Sequence, residues 1–398
     1  MNSPRSSSST TVRQPPTSWH PQAHALWSAG QQRAALAMLL DDLNRHGTRK
    51  PSQRVLQLTY YLFQRGDWAS AAQCLLQQHA SDPDNDEVHL NLAVCLSRSG
   101  RHPQAIAHAR TYVQKHPDEA LVWDILTNSL FACGQFDEAS QTGTRSLLIK
   151  DHAATRPARR QKPVPIHDTA RHDVIAYSLW GRQPTYLRGA LDNLLAAPTL
   201  YPGWQVRIYL DDSVPADWQA LLRELGADLR LQPAGQITRQ KLCWRFHVAN
   251  DPGVHRFLVR DIDSVLTARE RAAVDAWIAS GRSFHVMRDW WTHTDLMLAG
   301  MWGGLAGRLP SIAELLATYR PAAMETPNVD QWFLRDRVWP LLRDDCLVHD
   351  RCFRMAGAQP WPTPDPPGTE HVGQDECAAN PQAQAERLRP WLARLGAG

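Results

Sequence analysis

The sequence predicts two folded parts, an N-terminal all-α helical-repeat solenoid followed by an α/β domain. Three features predict this. A glycine recurs every 34 to 36 residues in the first third of the chain, a segment rich in proline and basic residues interrupts that period, and short apolar runs then alternate with amphipathic stretches. A chain of 398 residues has room for two or three domains, each with its own core.

The repeat is read first. "GQQRAAL" begins at Gly30, "GDWASAA" at Gly66, "GRHPQAI" at Gly100 and "GQFDEAS" at Gly134, and alanine follows five positions later at Ala35, Ala71, Ala105 and Ala139. Pro83 and Pro117 each fall 17 residues after a glycine. Glycine permits the tight turn between two helices, alanine lets them approach closely, and proline ends the second helix. This pattern resembles the tetratricopeptide repeat (TPR), and it implies helix pairs over 19–152 that stack because one unit cannot bury its apolar face alone. The first unit has Gly47 where proline would fall, which suits a terminal cap. Residues 1–18 are polar and are expected to be disordered, and 153–172, "AATRPARRQKPVPIHDTARH", to be a linker.

Beyond the linker, "DVIAYSL", "QVRIYL", "DLRL", "HRFLV" and "SFHVM" read as strands. Helices are expected through "PTYLRGALDNLLAA", "PADWQALLREL" and "RQKLCWRFHVAN". Thr267 and Glu270 have the spacing of a capping box, opening a helix that Gly281 stops. Such alternation predicts an open, mainly parallel sheet covered by helices. The stretch around "WPTPDPPG" and the tail 376–398 are expected either to wrap the domain or to lack order.

Composition excludes some functions. With 43 Lys+Arg against 40 Asp+Glu, charge gives no argument for a nucleic-acid partner. Seven cysteines with no C-x-x-C pair predict thiols in a reducing compartment. Neither a secretory leader nor a stretch of about 20 apolar residues is evident, so a cytoplasmic protein without a transmembrane segment is expected.

The chemistry centres on "FLVRDIDSVL", residues 257–266, where an apolar strand breaks into Asp261 and Asp263. On an extended chain residues i and i+2 point to the same side, about 6.5 Å apart, and two carboxylates so placed can share a hard divalent cation. In open α/β sheets ligands bind at the carboxyl ends of strands, which is where this pair is expected. A bare D-x-D also marks many solvated turns.

"YSLWG", "RDIDS", "SFHVMRDWWTH", "GMWGG", "DQWFL" and "VHD" occur in this order over about 170–375. Together they resemble a GT-A-type glycosyltransferase domain, so the full expectation is a TPR-like solenoid followed by a GT-A-like Rossmann-type α/β domain over 173–375. The resemblance implies a nucleotide-sugar donor, Mn2+ or Mg2+ held by Asp261, Asp263 and His349, and an acceptor that is a glycan, lipid or protein. His371 is the rival third ligand.

Carried over residue by residue, Tyr177, Ser178, Trp180 and Gly181 would lie against the nucleotide. Lys241, Arg245 and Arg260 would face the diphosphate, and Gln331 the donor. Asp289 and Asp330 are the carboxylates offered for base or transition-state roles, and Trp302 a stacking platform. Each has a plain structural alternative: a core indole for Trp180 and Trp302, a salt bridge for Arg260, a solvated basic face for Lys241 and Arg245.

Two other functions stay open. One is a TPR scaffold whose α/β domain is a relic. The other is a metal-dependent phosphotransferase or hydrolase, against which stands the lack of a G-x-x-x-x-G-K-[ST] loop.

Overall fold

The computed structural model describes residues 16–47, 49–154, 171–321 and 328–395. Most of the expected N-terminal disorder (1–15) and of the linker (155–170) lies outside the described residues. The chain divides into two compact units, one running to Ile149 and one from Lys150 onward.

The first unit is a TPR-like solenoid of helices α1 (Pro21–Ser28), α2 (Gln32–Arg45), α3 (Ser52–Gln64), α4 (Trp68–Ser81), α5 (Asp86–Arg98), α6 (His102–Lys115), α7 (Ala120–Ala132) and α8 (Phe136–Ala153). The periodic glycines sit between paired helices in the left-handed region, with φ of 78° at Gly30, 71° at Gly66, 77° at Gly100 and 74° at Gly134. A Cβ-bearing residue is strained there. Ala35, Ala71, Ala105 and Ala139 are fully buried, so the small side chain is used for close helix approach.

The second unit is a mixed seven-stranded sheet with helices. In chain order it comprises β1 (His172–Leu179), α9 (Pro184–Leu200), β2 (Gln205–Leu210), α10 (Ala216–Glu224), β3 (Asp228–Leu231) and α11 (Thr238–Cys243), which tightens into a 3-10 turn (Trp244–Asn250). Then follow β4 (Val254–Arg260), α12 (Ala268–Ser280), β5 (Phe284–Arg288), β6 (Met301–Leu305), α13 (Ile312–Thr318), α14 (Val329–Phe333), α15 (Trp339–Leu342), β7 (Cys346–Asp350), α16 (Glu376–Ala379) and α17 (Pro381–Arg394). The strand order is β3-β2-β1-β4-β6-β5-β7. β1 runs parallel to both β2 and β4, β2 to β3 and β5 to β7, whereas β6 is antiparallel to β4 and β5.

β1 from Val174 to Leu179 and β2 from Val206 to Leu210 are buried on both faces, and the one charge among them, Arg207, is taken up by Asp228 and Asp251. Thr267 caps α12, accepting from Glu270 N at 3.1 Å, and Gly281 stops that helix at φ 71°. The other half of the capping box is diverted: the Glu270 carboxylate accepts from Arg260 Nε at 2.6 Å. The expected tail is structural, because Leu388 and Leu392 of α17 join the core formed by α9, β1, β2 and α12. Among the described residues no disulfide joins the cysteines, and no helix is long and apolar enough to cross a membrane.

Candidate functional site

The order of the strands reverses at β1. The chain adds β2 and β3 on one side of it, then returns to place β4 on the other. Ligands of open α/β sheets bind at the carboxyl ends of strands at such a switch point. Here those ends carry Ser178–Gly181 from β1 and Asp261–Asp263 from β4.

Arg245, in the 3-10 turn, ties the two ends together. Its backbone N donates to Ser178 Oγ at 3.1 Å, and its guanidinium donates to Arg260 O at 2.8 Å and to Asp261 Oδ1 at 2.5 Å. Asp330 of α14 lies on the same guanidinium, Nη2 to Oδ2 at 3.3 Å. Arg245 is 4% exposed and Asp330 3%. Burial, followed by the repulsion of Asp261 against the attraction of Arg245, pushes Asp330 up to about 6.

Asp261 and Asp263 do not lie on an extended strand as expected. β4 ends at Arg260, and the chain turns, with Ser264 N donating to Asp261 O at 3.2 Å. That turn is braced by α9. Asn193 Nδ2 donates to Ile262 O at 3.2 Å and to Ser264 O at 3.0 Å, while its Oδ1 accepts from Leu266 N at 3.1 Å. Gly189, one helical turn earlier, has no room for a side chain: a Cβ there would stand 2.1 Å from Ile262 O. On the other side a Cβ at Gly300 would stand 2.1 Å from Asp261 Oδ2. The acidic turn is therefore clasped between two glycines.

Asp375 is a third carboxylate at this site that sequence reasoning missed. Burial first, then the charges of Asp261 and Asp375, raise Asp263 to about 6. Burial, followed by the charges of Asp263, Asp375 and Asp261, pushes the Tyr186 hydroxyl upward. Glu376 N donates to Asp263 O at 3.0 Å, fastening α16 to the turn. The only sequence signal for Asp375 was an acidic pair following the proline-rich stretch.

Three acids with surplus negative charge and hard oxygen donors fit a divalent cation such as Mn2+ or Mg2+. Among the described residues they do not converge into a three-ligand cage.

The other expected site residues fall as follows. Trp180 is partly exposed and meets Trp244 edge-on, ring centroids 6.2 Å apart. Gly181 has φ 75° and donates its N–H to Ser213 Oγ at 2.7 Å. Lys241 donates to Asp211 Oδ2 at 2.6 Å, beyond the end of β2. Gln331 lies beside Asp330, its N–H donating to Asp330 Oδ1 at 2.9 Å.

Five residues are placed away from the acidic turn or point elsewhere. Tyr177 is fully buried in the core with α9 and β2. Arg260, the last residue of β4, is taken into a buried pair with Glu270. Trp302 is fully buried edge-on to Phe246 and Phe257. Asp289 is fully buried and taken up by Arg269, at 2.8 and 3.0 Å, and by Val372 N at 2.9 Å. His349 does not join the acids either. It lies on β7, separated from β4 by β6 and β5, and its Nδ1 meets His285 Nε2 at 2.8 Å. Burial lowers His349 to about 4.

His371, the rival ligand, stacks on Trp290 at 4.6 Å. It also lines a cavity of about 480 Å³ with Ser264, Thr267, Arg269, Gln374 and Arg387. Ser264 and Gln374 are the immediate neighbours of Asp263 and Asp375, so this cavity adjoins the acidic turn.

Residues 62–129 match the tetratricopeptide repeat family, so the repeat region is of that kind. No curated protein matches the chain. Among solved structures, a MamA fragment from Desulfovibrio magneticus RS-1 is 13% identical with a TM-score of 0.30, covering 34% of this chain and 78% of its own. A variant of the Thermobaculum terrenum O-GlcNAc transferase is 18% identical with a TM-score of 0.37, covering 60% of this chain and 44% of its own. Likeness at this level says nothing about activity.

Proposed function

We propose that the α/β unit is a metal-dependent glycosyltransferase of GT-A type, taking a nucleotide sugar as donor, and that the TPR-like unit binds a protein. The observation that carries this reading is the acidic turn at the topological switch point, fixed by Asn193, Gly189 and Gly300 and linked to β1 through Arg245. Asp261 and Asp263 would hold Mn2+ or Mg2+, with Asp375 adding charge. When bound, the cation supplies positive charge to the leaving nucleoside diphosphate.

The chain's own residues do the rest. Ser178 to Gly181, with Trp180 partly exposed, form the wall against which the nucleotide lies. Arg245 holds Asp261 in place and is itself positioned by Asp330. The cavity beside Ser264 and Gln374 has room for a sugar or the end of an acceptor. Asp289 is unsuited to act as base, because a bidentate arginine occupies it. Asp330, at about 6, has a proton affinity near the working range of a general base.

A second reading is favoured by one observation: both carboxylates offered as base are ion-paired, Asp289 to Arg269 and Asp330 to Arg245. On that reading the domain binds a nucleotide sugar without turning it over, and the protein acts as a scaffold. The two separate on incubating full-length protein with UDP-, GDP- and CDP-sugars and Mn2+, scoring release of nucleoside diphosphate. Release that Asp261→Asn abolishes is the expected result. Binding without release selects the scaffold, and neither binding nor release rejects both.

A further inference from the structure

Three histidines converge in the repeat unit, on three successive helices. His79 lies near the end of α4, His89 on α5 and His108 on α6. One ligand nitrogen from each lies within 4.8 Å of the others. His108 Nδ1 and His89 Nε2 are 3.1 Å apart, and the rings of His79 lie 4.8 Å from His89 and 5.3 Å from His108. We propose that His79, His89 and His108 form a three-histidine site for a borderline divalent transition-metal ion, Zn2+ foremost, with its fourth position open to water or a partner's side chain.

The chemistry favours a cation over simple packing. Between two imidazole nitrogens at 3.1 Å a single proton can be shared, which satisfies His89 and His108. His79 Nδ1 stays buried with no hydrogen-bond partner. An unmatched buried polar atom is costly, and one cation would occupy the lone pairs of all three rings.

The dimensions also fit. Ligand nitrogens about 2.1 Å from a tetrahedral ion stand about 3.4 Å apart, so the 3.1 Å pair is already at coordination spacing. The wider separation, up to 4.8 Å, closes by small side-chain rotations. Nitrogen-only donors select Zn2+, Ni2+ or Cu2+ over the oxygen-seeking Mg2+ and Ca2+, so this site and the acidic turn would not compete for one ion.

His79 and His108 are only half-buried, whereas His89 is 6% exposed, so the cluster has a buried floor and an accessible side. A closed structural site would recruit a fourth protein ligand, whereas three ligands and access leave a position open. Bound metal would pin α4, α5 and α6 and so stiffen the solenoid across two repeats.

The test uses untagged, full-length protein stripped with chelator and titrated with Co2+, whose tetrahedral complexes absorb strongly in the visible. One equivalent should give an intense tetrahedral spectrum that Zn2+ bleaches stoichiometrically. His79→Gln and His108→Gln, at half-buried positions that tolerate change, should each weaken binding at least 100-fold with the helical circular dichroism unchanged. The Asp261→Asn/Asp263→Asn variant, which lacks two carboxylates of the acidic turn, should show the same tetrahedral absorption as wild type. A weak octahedral spectrum from the wild type, or affinity unchanged in both histidine variants, overturns the proposal.

Discussion

Arg245 and Arg260 are the same residue type 15 positions apart, both buried, and the structure gives them opposite uses. Arg245 touches Asp261 and Asp330 and links two strand ends, whereas Arg260 is spent on Glu270 inside the core. Arg260→Met leaves a buried carboxylate unpaired and should destabilise the protein by about 3–5 kcal/mol while leaving nucleotide affinity in the folded fraction unchanged. Chemical denaturation together with nucleotide titration checks both halves of that statement. Gly300→Ala should instead impair metal binding, because its Cβ would stand 2.1 Å from Asp261 Oδ2. The expected readout is an Mn2+ affinity at least tenfold weaker, measured by calorimetry.

Buried histidine sets a pH dependence at the same scale. His349 has a folded-state value of about 4 against an ordinary 6.5. As pH falls below 6.5 the unfolded chain takes up a proton that the folded one refuses, so stability is lost between about 6.5 and 4. For this side chain the loss amounts to about 3 kcal/mol. Asp330, raised to about 6, works in the other direction: below that pH the folded state accepts a proton and its burial cost is relieved. The clean measurement is therefore a difference. His349→Gln should show a shallower acid loss than wild type over this window, by denaturant titration at several pH values, and parallel curves would contradict the assignment.

At the scale of elements, α9 does more than cover the sheet, since Gly189 and Asn193 brace the acidic turn from one helix face. Gly189→Ala isolates that role. Alanine raises helix propensity by about 1 kcal/mol, so a fall in melting temperature with weaker nucleotide binding is the signature of its clash with the Ile262–Asp263 backbone. The C-terminal helix α17 is likewise structural. Truncation after Asn380 removes Leu388 and Leu392, each worth about 1.5–3 kcal/mol of burial, and strips Asp192 of Gln384 and Arg387. The truncated chain should lose the cooperative melting of the α/β unit.

The elements that the sequence revealed are those specified locally. Each repeat glycine needs its left-handed φ whatever surrounds it, and β1 is apolar over most of its buried length, Val174 to Leu179. The carboxyl end of β4 was legible for the same reason, because strand, acidic turn and capped helix follow one another in the chain. Side-chain destinations were not legible where the partner comes from across the sheet. His349 meets a histidine 64 positions away, and Asp289 meets an arginine 20 positions before it. Asp375 reaches the site only because α16 and α17 fold back onto α9, which no local pattern encodes.

At the scale of the whole molecule, one chain carries a repeat scaffold and a sheet whose switch point presents three acids. Near-neutral charge gives no general attraction to polyanions. The central claim is that diphosphate affinity depends on metal and on the D-x-D pair. The most direct test is a thermal-shift comparison of UDP, GDP and CDP, each with and without Mn2+, on wild type and on Asp261→Asn/Asp263→Asn. A ligand confined to the folded state at 100 times its Kd stabilises by about 2.7 kcal/mol. One nucleotide is expected to raise the melting temperature of wild type only with Mn2+ present, and that of the variant not at all. Equal shifts in both proteins, or none in wild type with any nucleotide, would contradict it.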